Sequence, residues 1–258
     1  MSRIDVHNLS VSFGGHIVVH DVSLQVEAGR TTGLVGESGS GKSTIGKAIV
    51  GLVQIAGGQI TVDGSDIRAD RGFKKTRALV QLVFQDARAA LNPYLTVKEL
   101  IDEAREARRR RQGDSSAIPL DDLLDYVRLP STFKTKKPNE MSGGQCQRVA
   151  IARALAVQPK FLILDEVTTG LDVSVQAAVL NLLNELQQQL DLGYLLISHN
   201  LAIVNAMTDS LLVLKNGSMM ESGSTAEVLS APTMEYTQNL LRAIPSLERG
   251  DCLGADPG

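Results

Sequence analysis

Short apolar runs, separated by polar and glycine-rich segments, recur along most of the chain and predict β-strands. Over residues 4–28 the apolar positions fall into several short runs around a Gly14-Gly15 turn, and residues 57–64 end in an Asp-Gly turn typical of a hairpin. Residues 161–164 and 195–197 are continuously apolar, as in strands buried on both faces of a parallel sheet. Further strands are predicted at residues 32–35, 79–84, 211–214 and 219–221, the last two joined by a turn at Asn216-Gly217.

Helical patterns occupy four segments between these strands. They cover residues 97–111, 120–127, 143–157 and 175–190, and the last carries an apolar stripe along one face. Thr96 has the position of an N-cap, with Glu99 at capping-box spacing. Residues 86–156 are therefore predicted to form a helical insertion in an otherwise α/β chain.

A glycine-rich loop lies between the strand at 32–35 and a predicted helix. It consists of Gly36, Glu37, Ser38, Gly39, Ser40, Gly41, Lys42, Ser43 and Thr44. The spacing Gly-x-x-x-x-Gly-Lys-Ser matches a phosphate-cradling loop, in which backbone N–H groups turn toward phosphate oxygens and the helix N-terminus adds partial positive charge. Lys42 can then reach the β- and γ-phosphates, and the Ser43 hydroxyl can bind Mg²⁺. A solvated glycine-rich turn is the alternative, but the strand before it and the helix after it favour phosphate binding.

Polar residues follow three of the predicted strands. Gln85 follows residues 79–84, Asp165 and Glu166 follow residues 161–164, and His199 follows residues 195–197. Ligands of open α/β sheets bind at the carboxyl ends of the strands. One acid could serve Mg²⁺ while the other orients or deprotonates water, and His199 is a candidate γ-phosphate contact, although a lone histidine is usually structural.

The helix predicted from residue 143 has an unusual start. Ser142 and Gln145 have capping-box spacing, and between them stand Gly143 and Gly144, which cost helix propensity. A well-capped helix is one interpretation. The other is a backbone that must approach an anionic ligand at the helix N-terminus.

Composition narrows the classes of function. The chain has 258 residues, 43% of them hydrophobic, a net charge of −3 and only 3% aromatic residues, which disfavours nucleic acid as a partner. Cys146 and Cys252 are in no ligand spacing and fit a reducing compartment. The sequence contains no run of about 18 apolar residues, so no membrane-spanning helix is predicted. The run Arg108–Arg111 is either a solvated helix face, which we favour, or a patch for nucleic acid or lipid headgroups.

Together these motifs resemble the ATP-binding-cassette (ABC) ATPases over essentially the whole chain. The resemblance implies a P-loop NTPase fold with a RecA-like, mostly parallel sheet, an N-terminal antiparallel β subdomain and a helical signature subdomain. It implies an ATPase with ATP and Mg²⁺ as ligands. A single domain is expected over residues 1–250, with a core of 1–85 and 157–225, a helical subdomain of 86–156, a branch-specific segment of 226–250 and a flexible tail of 251–258.

The resemblance also assigns roles to single residues. Phe13 resembles the aromatic that stacks on adenine, whereas composition alone favours a core position for it. Gln85 resembles the glutamine that binds Mg²⁺ beside Ser43 and Asp165. The signature corresponds to Ser142, Gly143, Gly144 and Gln145. Glu166 corresponds to the catalytic base, Asp172 to the loop that crosses a dimer interface, and His199 to the switch histidine.

The segments Phe84–Asp86 and Leu91–Pro93 and the tail from Pro232 to Pro245 are similar to the oligopeptide/nickel importer branch. That similarity implies an importer of peptides, nickel or metal chelates, placed peripherally at the cytoplasmic face of the membrane. Its partners would be a second ABC ATPase, a paralogue in preference to another copy, two permease subunits and, indirectly, an extracytoplasmic binding protein.

Three residues depart from the family pattern. Met141 replaces a leucine, Val167 replaces the proline after the acidic pair, and Asn200 replaces an acid after His199. Val167 puts in doubt the rigidity of the loop after the acidic pair, and Asn200 puts in doubt a charge beside His199.

The alternative functions are an ABC ATPase acting on ribosomes or nucleic acid, an exporter ATPase, and a regulatory module without hydrolysis. Glu166 and His199 argue against the last of these.

Overall fold

Two β-sheets organise the protein. The computed structural model describes residues 2–69, 76–112 and 117–242. The smaller sheet is antiparallel with strand order β2-β1-β4-β5. Its strands are β1 (Arg3–Phe13), β2 (His16–Glu27), β4 (Gly57–Val62) and β5 (Ser65–Asp66). The first 28 residues thus form two long strands with register shifts between them, where the sequence predicted several short ones. Bulges interrupt the alternation and make one strand resemble two.

The larger sheet has the order β10-β9-β3-β8-β7-β6. Its strands are β3 (Thr31–Val35), β6 (Val80–Val83), β7 (Phe161–Asp165), β8 (Gly193–Ile197), β9 (Ser210–Lys215) and β10 (Ser218–Ser224). All neighbouring pairs are parallel except β10 with β9, which form the predicted hairpin. The α/β class and the mostly parallel sheet are confirmed.

Helices connect these strands. These α-helices are α1 (Lys42–Ile49), α2 (Ala87–Ala90), α3 (Val97–Gln112), α4 (Leu120–Tyr126), α5 (Gly143–Leu155), α6 (Val173–Leu190), α7 (Leu201–Met207), α8 (Thr225–Ser230) and α9 (Glu235–Arg242), and residues 76–79 are helical as well. Short 3₁₀ turns cover Ser131–Thr135 and Pro138–Glu140. At the start of α3 the Glu99 carboxylate accepts hydrogen bonds from the Thr96 N–H and hydroxyl, as predicted.

The large sheet is buried on both faces, which explains its continuous apolar strands. Leu162 and Leu164 join one apolar cluster with α3, α4, α5 and α6. Phe161 and Ile163, which alternate with them, join a second cluster with α1 and the antiparallel sheet. Because side chains of a strand alternate between faces, only a fully apolar strand can serve two cores.

Some predicted features differ from the structure or lie outside it. Of the arginine run, Arg109 and Arg110 are exposed and paired with Glu106, as expected for a solvated face, whereas Arg108 is buried. Residues 243–258, including Cys252 and the predicted tail, lie outside the described residues. None of the helices that the structure describes combines the length and apolar character that a membrane-spanning helix needs.

Candidate active site

Four neighbouring strands of the large sheet deliver the predicted site residues to one edge. The parallel pairing of Leu34 with Ile197, of Leu164 with Leu196 and of Val83 with Leu164 aligns the carboxyl ends of β3, β8, β7 and β6. At these ends or shortly after them stand Gly36–Gly41, His199, Asp165–Glu166 and Gln85. Sites distant in sequence therefore meet at one edge, where ligands of parallel sheets bind.

The glycine-rich loop is supported by the β9–β10 hairpin. A Cβ on Gly36, whose φ is 151°, would lie 2.1 Å from the Leu214 carbonyl oxygen, so only glycine fits this close approach. The Gly217 N–H donates to the Ser40 carbonyl at 3.0 Å. Glu37, Ser38 and Gly39 are exposed at the top of the loop, while Ser40 is buried and Ser43 and Thr44 are partly buried at the start of α1.

Lys42 folds back into the loop. Its Nζ donates to the carbonyl oxygens of Gly36 at 2.9 Å and Glu37 at 2.8 Å, and to Ser40 Oγ at 3.4 Å. Burial lowers the pKa of Lys42 from its ordinary value, and the nearby carboxylates of Glu166 and Asp165 oppose that shift. The ammonium group is thus held against the backbone of the loop by two carbonyl oxygens and a hydroxyl.

Ser43 and Asp165 form the pair that could hold a metal ion. Ser43 Oγ donates to Asp165 Oδ1 at 2.8 Å. Burial raises the pKa of Asp165, the Ser43 hydrogen bond opposes this, and the Glu166 carboxylate adds to it. Gln85 is exposed at the same edge, after β6. Hydroxyl, carboxylate and amide oxygens are hard ligands that suit Mg²⁺, which also keeps water and phosphate oxygens. Among the described residues no cluster of three His, Cys, Asp or Glu side chains could hold a metal alone.

Glu166 and His199 lie side by side. Glu166 Oε1 is 3.3 Å from His199 Nδ1, and its Oε2 accepts from Thr169 Oγ1 at 3.3 Å. Glu166 has φ 48°, a left-handed conformation that is uncommon for residues other than glycine and that concentrates at functional sites. Its N–H bonds to Ile197 O at 3.0 Å and its carbonyl accepts from Thr169 N at 3.0 Å, which hold it there. The carboxylate is therefore oriented by two side chains, with the imidazole 58% exposed beside it.

Two of the three departures from the family pattern, Asn200 and Met141, have a structural explanation. Asn200 caps helix α7, since its Oδ1 accepts from Ala202 N at 3.0 Å and Ile203 N at 3.4 Å. Met141 is buried in the larger apolar cluster. Val167 is buried in the same cluster, and nothing in the structure explains why a residue other than proline stands there.

The signature residues form a capped helix start. Ser142 Oγ accepts from the Gln145 N–H, and Gln145 Oε1 accepts from the Ser142 N–H, so the predicted capping box is present. Ser142 and Gly143 are exposed. Asp172 is also exposed and caps α6 by accepting from Val175 N at 2.9 Å. Among the described residues, no hydrogen bond or ion pair joins residues 142–145 to the loop at 36–44.

Gly144 has a packing role that the sequence did not reveal. The sequence left two interpretations of the glycine pair open, a well-capped helix start and a backbone that approaches an anionic ligand. Gly144 is buried, and a Cβ there would lie 2.3 Å from Val175 Cγ1. Because glycine has no Cβ, α5 can approach α6 closely, so helix packing alone requires glycine at this position, whether or not its backbone also meets a ligand.

Gly144→Ala is expected to lower the free energy of unfolding by about 1–3 kcal/mol, because the methyl group overlaps Val175. Gly143→Ala is the matched control: its methyl group would lie 3.4 Å from Leu171 Cδ2, an ordinary contact. That control should change the unfolding free energy by less than about 1 kcal/mol. Urea unfolding measures both, and equal stability of the two variants would contradict the close packing.

Phe13 is an exposed residue rather than a core residue. Phe13 is 50% exposed to solvent, and it ends β1, where it pairs with His16 of β2. In the same hairpin, Val18 O and Val19 lie within 3.3 Å of a Cβ placed on Gly41 of the glycine loop. Composition alone favoured the core because most phenylalanines are buried, and that expectation is wrong; the stacking role that the family resemblance implies stays a prediction.

Two contacts to the loop come from residues that no motif marks as functional. They are the Gly217 N–H bond to Ser40 and a bond from the Glu37 N–H to the Tyr236 hydroxyl at 3.4 Å. Asn216-Gly217 signals only a hairpin, and no sequence signal pairs Tyr236 with the loop.

The comparisons with known proteins agree with this geometry. The model of the ABC transporter family matches residues 19–169. The oligopeptide transport ATP-binding protein OppF of Lactococcus lactis subsp. lactis is 42% identical over 234 residues, covering 90% of this chain and 73% of that protein. The dipeptide transport ATP-binding protein DppF of Lactococcus lactis subsp. cremoris is 40% identical over 256 residues, covering 94% of this chain and 81% of that protein.

Among solved structures, cbiO1 of Clostridium perfringens, part of the ABC transporter complex cbiONQ, is similar with a TM-score of 0.75 at 28% identity. The match covers 88% of this chain and 90% of that chain. Because the relatives match most of the chain and the family model spans the glycine loop and the acidic pair, the chain belongs to the ABC transporter family and is an ATP-binding subunit, an ATPase.

Proposed function

We propose that this chain is the energy-coupling ATPase of an ABC importer for peptides. The observation that carries the proposal is the assembled edge of the sheet, where Lys42, the Ser43–Asp165 pair and the Glu166–His199 pair lie together. The names of OppF and DppF, both from peptide transport, favour peptides over nickel or metal chelates. The resemblance of residues 84–86, 91–93 and 232–245 to the importer branch favours import over export.

Each residue at the edge has a proposed task. The loop N–H groups and Lys42 bind the phosphates, and Phe13 stacks on adenine. Ser43, Asp165 and Gln85 hold Mg²⁺, which supplies positive charge beside the phosphates when bound. Glu166 accepts the proton of the attacking water, and the exposed imidazole of His199 orients that carboxylate and faces the γ-phosphate.

The separation of the signature from the loop supports a site completed by a second cassette. Ser142 and Gly143 are exposed at a helix N-terminus, where N–H groups favour anions, and they make no hydrogen bond to the loop within the described parts of this chain. We propose that they contact ATP held by a second ABC ATPase, across an interface that includes Asp172. The similarity to the peptide branch favours a paralogue over another copy.

A groove beside Gln85 is the proposed contact with the permeases. It has a volume of about 420 Å³. It lies between the large sheet and the helices of the insertion, and its lining includes Leu52, Leu82, Phe84, Leu91, Ala104 and Ala107. Phe84 and Leu52 are exposed there (38% and 53%). We propose that a short amphipathic helix of one permease subunit docks there, because movement of Gln85 would reach it directly. The chain would then lie peripherally at the cytoplasmic face of the membrane, with an extracytoplasmic binding protein acting on the permeases.

Domain boundaries follow the same scheme. We propose a single domain over residues 1–250, with 86–156 as the helical subdomain that carries the signature and the groove. Within the described part of that segment the elements are all helical. The segment 226–250 is the proposed branch-specific addition and 251–258 the tail.

Ser142→Arg is expected to lower ATPase activity to about a tenth or less while ATP binding stays at wild-type affinity. The added side chain blocks the helix N-terminus from the second cassette without touching the loop. Specific activity, measured against protein concentration with and without the partner cassette, should rise with concentration in the wild type and stay low in the variant. Ser131→Arg, at an exposed position of the same insertion, is the control.

A high activity that does not depend on concentration, from a chain that stays monomeric with ATP, would contradict the second-cassette arrangement. Co-purification identifies the system: two membrane subunits support the importer, whereas ribosomes or nucleic acid would support the alternative within the same family.

A further inference from the structure

Helix α9, the last helix of the described residues, contacts the glycine-rich loop directly. The Tyr236 hydroxyl accepts a hydrogen bond from the Glu37 N–H at 3.4 Å, across 199 positions of sequence. The same ring lies 4.6 Å from Lys215 Nζ, at the end of β9. At 3.4 Å this N–H···O distance is longer than that of a typical hydrogen bond, so the ring contact with Lys215 contributes to holding the hydroxyl in place.

Helix α9 is anchored at its start and along one side. The Glu221 carboxylate accepts from Thr233 N at 2.7 Å, Thr233 Oγ1 at 2.9 Å and Met234 N at 3.3 Å. Tyr236, Leu240 and Leu241 pack against an apolar cluster that contains Val35 and Val213. Val35 is the residue directly before the loop, so the cluster ties α9 to the strand from which the loop emerges.

The loop is therefore held at two backbone points by residues 210–242. The Gly217 N–H bonds to Ser40 O, and the Tyr236 hydroxyl bonds to the Glu37 N–H. Between these points, Ser38 and Gly39 are exposed. A phosphate loop must hold its N–H groups in one arrangement, and restraining its backbone in advance lowers the entropy cost of binding.

We propose that Tyr236 is a positioning residue for nucleotide binding, through which helix α9 sets the affinity of the loop for ATP. It acts on the Glu37 backbone and touches neither Glu166 nor His199. By linkage, nucleotide binding stabilises the docked helix to the same degree. The proposal rests on the ATP-binding activity and adds a distant element that tunes it.

Tyr236→Phe removes the hydroxyl and keeps the ring. We expect the Kd and KM for ATP to rise about two- to tenfold, the equivalent of one net hydrogen bond, while kcat at saturating ATP stays unchanged. In the nucleotide-free chain the Glu37 amide should exchange its hydrogen faster than in the wild type, as measured by hydrogen exchange with mass spectrometry or NMR. Tyr126→Phe, a partly buried tyrosine on α4, is the matched control and should change none of these values.

The outcomes separate the proposal from the activity on which it rests. Wild-type ATP affinity and wild-type Glu37 exchange in Tyr236→Phe would overturn it, as would a fall in kcat at unchanged KM. A thermal unfolding midpoint equal to wild type excludes general destabilisation. A wild-type chain that binds no ATP would overturn the ATPase function instead, and the Glu37 exchange rate would still test the contact.

Discussion

Glu166→Gln is expected to reduce kcat for ATP hydrolysis by about 10²–10⁴-fold while ATP still binds, because the variant keeps the shape of the side chain and loses the base. The glutamine oxygen can take the place of Oε1 and accept from the imidazole of His199, while its NH2 group can donate to Thr169 Oγ1, so both contacts that orient position 166 can form. The loss therefore reports the proton transfer rather than a rearranged loop. Phosphate release at saturating Mg-ATP, with calorimetric titration of ATP, measures the two effects separately.

The control for this variant is Glu185→Gln. Glu185 is an exposed carboxylate paired with Arg128 on another part of the surface, and exposed pairs contribute little to stability. We expect wild-type turnover and wild-type ATP binding from it. A normal rate of hydrolysis by Glu166→Gln would exclude Glu166 as the base, and another group would have to position the water.

Lys42→Ala is expected to abolish tight ATP binding, because charge-assisted hydrogen bonds to phosphate are worth about 1.5–3 kcal/mol each. The three donors of Nζ already have partners in the loop, and the bond to Ser40 Oγ, at 3.4 Å, is the longest. We infer that this donor is the one redirected to a phosphate oxygen. Calorimetry at one fixed salt concentration gives the change in affinity.

Loss of Lys42 also leaves the Gly36 and Glu37 carbonyls without their ammonium donor. Thermal unfolding of the nucleotide-free variant should therefore be followed beside the titration. Lys98→Ala is the matched control, since Lys98 is an exposed lysine whose ion pair with Asp102 lies on α3. Unchanged ATP affinity in Lys42→Ala would contradict the assignment of the loop.

The elements that the sequence predicted well are those specified by short-range patterns. The glycine loop between β3 and α1, the capping boxes at Thr96 and Ser142, and the Asn216-Gly217 hairpin depend on neighbours within a few residues. The apolar runs of β7 and β8 also predicted their own burial, because a strand with no polar position can be stable only between two apolar layers. The grouping of polar residues at one edge followed from the parallel sheet.

Long-range packing determined the features that the sequence could not predict. Phe13 is exposed because of where the β1–β2 hairpin ends, and Gly144 is required because Val175 of another helix lies against it. Asn200 departs from the family pattern, yet its side chain caps α7, a contact visible only once the helix start is placed.

The amino-acid sequence by itself determined the fold class, the loop and the residue types of the site, since each depends on local spacing and on hydrophobic period. The tertiary structure decided which of these groups meet: Ser43 with Asp165 across 122 positions, and Glu37 with Tyr236 across 199. The physical reason is that a hydrogen bond between distant segments depends on the packing of every element between them, and no local pattern of residues encodes that geometry.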